Sequence, residues 1–159
     1  MQTIAVKIRQ AKKSQNKLVI RFAKSSDAAQ LAKLAGELGY PTTTVQMKRR
    51  LRQIKPASQH GIFVAALPEG EVVGWLHLSV EPLLEVDMRG EVNGLVVADG
   101  HRSLGAGAVL LTAAEKWARK QGCKSISVRS NVIRDRAHKF YERNGYEHYK
   151  TQKAFRKGL

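Results

Sequence analysis

The chain has little that would staple it, span a membrane or hold a metal. Its 159 residues include one cysteine, Cys123, too few for an intrachain disulfide or a zinc cluster. That thiol reads as a small half-buried group just ahead of a strand. No apolar run approaches the ~20 residues a membrane-spanning helix needs. The N-terminus has no signal-peptide apolar segment, so a reducing cytoplasm is the expected compartment. No Gly-Lys-Ser/Thr triplet occurs, which excludes a P-loop. In Gly105-Ala106-Gly107-Ala108-Val109-Leu110, leucine stands where a dinucleotide fingerprint needs glycine or alanine. The histidines and acids show no metal-ligand spacing.

Acidic residues are scarce as well. Lys and Arg number 28 against 13 Asp and Glu, a formal charge of +15. Such a balance favours anionic partners, and it governs attraction and solubility rather than function. The excess is spread out. The first 24 residues carry seven cations and no acid, and Met47 to Lys55 carry five more.

Without repeats, low-complexity tracts or a linker, the length predicts one domain over 18–159 after a basic arm at 1–17. Leu18 to Phe22 reads as a strand. Ser26 and Asp27 are placed to cap a helix through Leu38, with Leu31, Leu34, Ala35 and Leu38 on one stripe. A second helix starts at Thr44, turning Met47, Leu51 and Ile54 inward and its basic residues outward. Gly61 to Leu67 and Val72 to Val80 form a hairpin about Pro68-Glu69-Gly70. Glu91 to Val97 is a strand, Gly105 to Lys120 a helix, and Ser125 to Ser130 another strand. A last helix over Arg134 to Arg143 precedes two short strands, Tyr146 to Lys150 and Ala154 to Arg156. This order predicts an α/β fold: a mixed, mostly antiparallel central sheet with helices on both faces. The Glu91 and Ser125 strands, joined through a helix, are expected side by side and parallel.

The joint before that helix, Asp99-Gly100-His101-Arg102-Ser103-Leu104-Gly105-Ala106-Gly107, asks for a reason. Amides at a helix N-terminus lack helical partners and carry positive potential. Bare glycines open them to an anion, Arg102 adds a charged fork, and a pyrophosphate is the natural occupant. Close packing through the glycines is the alternative.

This joint and the downstream Ala137-His138-Lys139-Phe140-Tyr141-Glu142-Arg143-Asn144-Gly145-Tyr146 together resemble the GNAT superfamily of acetyl-CoA-dependent N-acetyltransferases. Its signatures are similar to R/Q-x-x-G-x-G/A after the fourth core strand and A-x-x-F-Y-x-x-x-G-F/Y. The resemblance spans 18–159 in element order and is most specific from Glu91 to Tyr146. It implies acetyl-CoA as cosubstrate and no metal. It also implies that main-chain groups of Leu95, Val96 and Val97 meet the pantetheine arm. Arg102, Ser103, Leu104, Gly105, Ala106, Gly107 and Ala108 would wrap the pyrophosphate, chiefly through amides. The fourth and fifth strands would splay to let thioester and amine meet. Asn131 corresponds to the family's polar residue after the fifth strand, with Arg134 or Arg136 as alternative neighbours of the cofactor.

The resemblance implies direct attack of an amine in a ternary complex. Tyr141 is then the general acid near the sulfur, and Glu91, alone or with Asn93 through a water, the candidate base. A solvated strand-end charge is the other reading of Glu91. Two-residue alternation puts Glu91, Asn93, Leu95 and Val97 on one face. Trp75 and His77, alternating with Ser79, line the acceptor cleft or serve the core. His101 reads as a loop residue and His138 as a helix-surface one.

The acceptor is left open. The Trp75–His77 region and Lys153-Ala154-Phe155-Arg156-Lys157 resemble aminoglycoside N-acetyltransferases of the same superfamily. A tetracationic drug gains nothing from a +15 protein without a local acidic pocket, for which Glu81, Glu85 and Asp87 are the candidates. A neutral or anionic small amine suits the charge better; a protein lysine or N-terminus stays open. A homodimer is compatible with the resemblance. The rival class is a nucleic-acid- or ribosome-associated domain using the basic surface, which salt-dependent binding would reveal. Against it stand the absence of helix-turn-helix or zinc spacing and of an aromatic stacking strip in the basic stretches.

Overall fold

A computed structural model of the protein describes residues 18–54 and 59–159. The expected basic arm and Lys55 lie outside the described residues. Five strands form one sheet in chain order: β1 (Val19–Phe22), β2 (His60–Ala66), β3 (Val72–Glu81), β4 (Arg89–Val97) and β5 (Ser125–Val128). The first four pair antiparallel, and β4 and β5 pair parallel, as expected of two strands joined through a helix. The architecture is the mixed α/β sheet that the element order predicts.

Helices cover both faces. The helix α3 (Ala106–Lys120) buries Ala106, Leu110, Leu111, Ala114 and Ala118, a spacing that keeps one stripe turned to the sheet. There it meets Leu76, Leu78 and Val92, forming the larger core. The opposite face carries α1 (Ala28–Leu38) and α2 (Thr44–Gln53). Leu31 and Leu34 of α1 pack on Val64, Ala66 and Val96 in a smaller core. Thr43 begins α2 with a reciprocal cap: its hydroxyl accepts from the Gln46 amide, and the Gln46 side chain accepts from the Thr43 amide. Met47 and Leu51 reach the smaller core, but no residue of α2 is fully buried.

Two expectations are corrected. Asp27 does not cap α1; it takes a two-pronged ion pair from Arg21 (2.7 and 2.9 Å) and the Lys24 amide (2.7 Å). The charged fork wins because it satisfies both carboxylate oxygens at once. The strands expected at Tyr146 to Lys150 and Ala154 to Arg156 do not form, and 147–159 is exposed without helix or strand. Each run offers too few apolar groups to hold a pair of short strands. Tyr149 and Phe155 stay in solvent, whereas Tyr146 turns inward and donates its hydroxyl to Glu115 at 3.2 Å.

Candidate active site

Strands β4 and β5 pair only from Arg89↔Ser125 to Val92↔Val128. Beyond Val92, β4 continues through Val97 with no partner strand on that side among the described residues. The backbone groups of Asn93 to Val97 that do not bond β3 therefore face an opening rather than a neighbouring strand, the kind of edge an extended chain can join, and Arg102 Nε reaches the Val97 carbonyl there at 3.4 Å. Leu95, Val96 and Val97 stand along it, Val96 buried and the others half-buried.

A bulge interrupts β4 at this split. Opposite β3, the register runs His77↔Gly94 and then Leu78↔Val92, which leaves Asn93 as the extra residue. The insertion reverses the alternation. Val92, Leu95 and Val97 all join the core under α3, while Val96 joins the other core. Glu91 and Leu95 thus do not share a face, contrary to simple alternation. Glu91 belongs with the α1 and α2 side.

At the far end of the opening, a 3-10 turn over Asp99–Leu104 holds Arg102, Ser103 and Leu104 and leads into α3. Gly105 adopts φ +72°, a left-handed turn that glycine makes without strain. The Val109 amide bonds back to the Gly105 carbonyl at 3.2 Å. Amides of Ala106, Gly107 and Ala108 lie before it in the first turn of α3, the part of a helix whose amides lack partners within the helix itself. Arg102 is paired with Asp99 at 2.6 Å. Gly107 is bare for another reason: a Cβ there would stand 2.9 Å from the Phe140 ring. The two glycines thus divide the alternatives posed by the sequence, one serving the turn and one close packing.

Phe140 and Tyr141 belong to α4 (Asp135–Arg143) and contact the α3 core. Tyr141 packs its ring against Phe140 and Tyr146, with centroids 5.3 and 5.7 Å away. Burial pushes its hydroxyl up to about 12, so it keeps its proton at neutral pH. Asn131 shapes the turn into α4: its side chain accepts from the Ile133 amide and its carbonyl from Arg134 and His138. Arg134 reaches across to the Leu38 carbonyl at 2.9 Å, tying α4 to the end of α1. Arg136 is exposed on α4 and His101 lies in the 3-10 turn.

On the α1 and α2 side, one rung crosses four strands. His60, Ser79, Glu91 and Ser127 stand directly opposite one another in register on β2, β3, β4 and β5. The Glu91 carboxylate accepts from the Ser127 hydroxyl and from Arg129 Nε (3.0 Å). Asn93, freed by the bulge, donates to Ser79 at 2.8 Å. His60 Nδ1 and His77 Nε2 lie 3.0 Å apart and share one proton. Burial, and then His60 beside it, push His77 down to about 4, so it is neutral at pH 7. Trp75 lies on the same side; its Nε1 is buried with no partner among the described residues.

The structure thus gathers Trp75, His77, Glu91 and Asn93 on one side of the split, with Tyr141 on α4 and the glycine joint at the opening's end. Of Glu81, Glu85 and Asp87, Glu81 ends β3 opposite Arg89 in register, two residues from the Ser79–Glu91 pair, and Glu85 and Asp87 lie in the exposed loop between β3 and β4. The sequence reading overlooked His60, Ser127 and Arg129. Ser127, between Ile126 and Val128, carried a signal in the strand's alternation. His60 and Arg129 had none, because cross-strand register is not written in either segment.

Comparison with known proteins shows the family. The family model described as Acetyltransferase (GNAT) family matches residues 28–146. An aminoglycoside N(6')-acetyltransferase type 1 of Klebsiella aerogenes is 26% identical over 147 residues, covering 89% of this chain and 97% of that protein. An aminoalkylphosphonate N-acetyltransferase of Salmonella typhimurium is 38% identical over 92 residues, covering 56% and 60%. The crystal structure of an aminoglycoside 6'-N-acetyltransferase from Acinetobacter baumannii shares the fold, with TM-score 0.78 and 16% identity over 90% of this chain and 99% of that one. With a matching motif pair, sheet and split, the chain belongs to the acetyltransferase (GNAT) family and is an acetyl-CoA-dependent N-acetyltransferase.

Proposed function

We propose that the protein acetylates the primary amine of a small molecule by direct attack within the split. The observation that carries this is the end of β4–β5 pairing at Val92↔Val128, beside the first-turn amides of α3. These features fit acetyl-CoA: main-chain groups of Leu95, Val96 and Val97 would hold the pantetheine arm. Amides from Gly105 to Ala108 would hold the pyrophosphate, with Arg102 released from Asp99. Acetyl-CoA supplies the activated acetyl group. Asn131 or Arg134, at the start of α4, would stand beside the same cofactor.

The chain's own groups handle the protons. The amine nitrogen forms its bond to the acetyl carbon as the carbon–sulfur bond breaks. A proton leaves the amine on the Glu91 side, through a water held by Glu91 and Asn93. Tyr141 gives its proton to the departing sulfur, for which its fully protonated hydroxyl is suited. The relatives named for aminoglycosides and aminoalkylphosphonates support a small-molecule acceptor. Calorimetry with acetyl-CoA, followed by thiol release across a panel of amines, tests the reading. Saturable binding and amine-dependent release are expected; acetyl-CoA that fails to bind would end it.

A further inference from the structure

The polar rung leads somewhere. Past His60, on the α2 side of the sheet, lies a cavity of about 140 Å³. Apolar walls come from Phe22, Leu51 and Ile62; Lys24, Arg52 and His60 also line it, and Arg52 Nε donates to the Lys48 carbonyl at 3.4 Å. No carboxylate lines it among the described residues. Asp27, the acid closest in sequence to Lys24, is already held by both prongs of Arg21. His60 belongs to both features, closing the cavity on one side and standing in register with Ser79 and, next across, Glu91 on the other. Two strand spacings separate His60 from Glu91, about 10 Å, within the reach of one small molecule.

The charge along this path is one-sided. Glu91 is the sole carboxylate of the rung, and it is engaged by Arg129 and Ser127. The next acid on this face, Glu81, stands two residues along β3 from Ser79 with the cation Arg89 directly opposite it in register, so a polycation meets a positive charge there as well. The geometry points to an acceptor that carries a phosphoryl or phosphonyl anion besides its amine. The anion enters the Lys24–Arg52–His60 cavity while the amine stands at the Glu91 end of the rung. Guanidinium and ammonium donors in a partly apolar cavity suit that chemistry. This inference rests on the acetyltransferase reading above and narrows it to one acceptor class.

The test compares glucosamine 6-phosphate and 2-aminoethylphosphonate with their uncharged counterparts, glucosamine and ethanolamine, and with kanamycin, in the full-length protein. At least one anionic amine should exceed its counterpart and kanamycin in kcat/KM by about tenfold or more. In Arg52→Gln, KM for that anionic amine should rise about tenfold, with KM for its counterpart and for acetyl-CoA within twofold. A purely structural role for Arg52 would move all three. In parallel, ethylphosphonate should shift the His60 ring resonances saturably, and less so in Arg52→Gln. Preference for kanamycin or an uncharged amine, equal losses for both amines, or an unresponsive His60 would each overturn the inference. Acetyl-CoA binding is measured separately, so a failure of the underlying reading is told apart from a failure of this one.

Discussion

The two faces of β3 show how one strand serves two purposes. Toward α3 it sends Leu76 and Leu78, both fully buried in the larger apolar core. Toward α1 and α2 it sends Trp75, His77 and Ser79, which meet His60, Asn93 and the Glu91 rung. The first face gains free energy from apolar burial; the second gives part of that up for groups that bind and move protons. Stability is thus expected to depend chiefly on one face, and acceptor choice on the other.

That division can be broken by substitution. The largest effect is expected from Leu76→Ala: a fully buried side chain lost beneath α3 should cost about 2–5 kcal/mol in denaturant unfolding. A loss near zero would mean that the α3 face does not anchor the fold. Next, Tyr141→Phe should lower turnover by roughly 10²-fold while calorimetric affinity for acetyl-CoA holds, because only the proton donor is removed. Unchanged turnover would take Tyr141 out of the chemistry.

Gly107→Val tests whether the two faces communicate through α4. The added Cβ would meet the Phe140 ring at 2.9 Å, so α4 must shift, costing about 1–3 kcal/mol and weakening acetyl-CoA binding. Normal melting and normal affinity together would show that the Phe140 contact is dispensable. The smallest effect concerns pH. The folded His77 titrates at about 4, below the ordinary imidazole value of 6.5, so the unfolded chain takes up the proton first as pH falls. Its contribution is complete above pH 6.5 and is lost between 6.5 and 4, with a slope of at most about 1.4 kcal/mol per unit. His77→Gln should flatten that part of the stability profile; an unchanged profile would place the slope on other groups.

Much of the fold was legible in the chain because its signals are local. The stripe of Leu31, Leu34 and Ala35 and the Leu110–Leu111–Ala114 spacing each announce a helix face. The joint at Gly105 and Gly107 and the Phe140-Tyr141 pair mark the family. The failures were of two kinds. Tyr146 to Lys150 alternates enough to suggest a strand, yet only Tyr146 turns inward and 147–150 stay exposed. Glu91, Asn93, Leu95 and Val97 seemed to share a face because alternation counts residues, and a bulge adds one that counting cannot see.

By itself, the sequence determined the order of strands and helices, the glycine joint and the excess of positive charge. Each of these follows from neighbours a few residues apart, through side-chain periodicity, backbone preference or simple summation. Only the tertiary structure decided that His60, Ser79, Glu91 and Ser127 form one rung, that Phe140 fills the space over Gly107, and that Arg134 reaches Leu38. Those contacts join residues 12 to 96 positions apart. Register, a bulge and the packing of whole elements set them, and no local propensity encodes those.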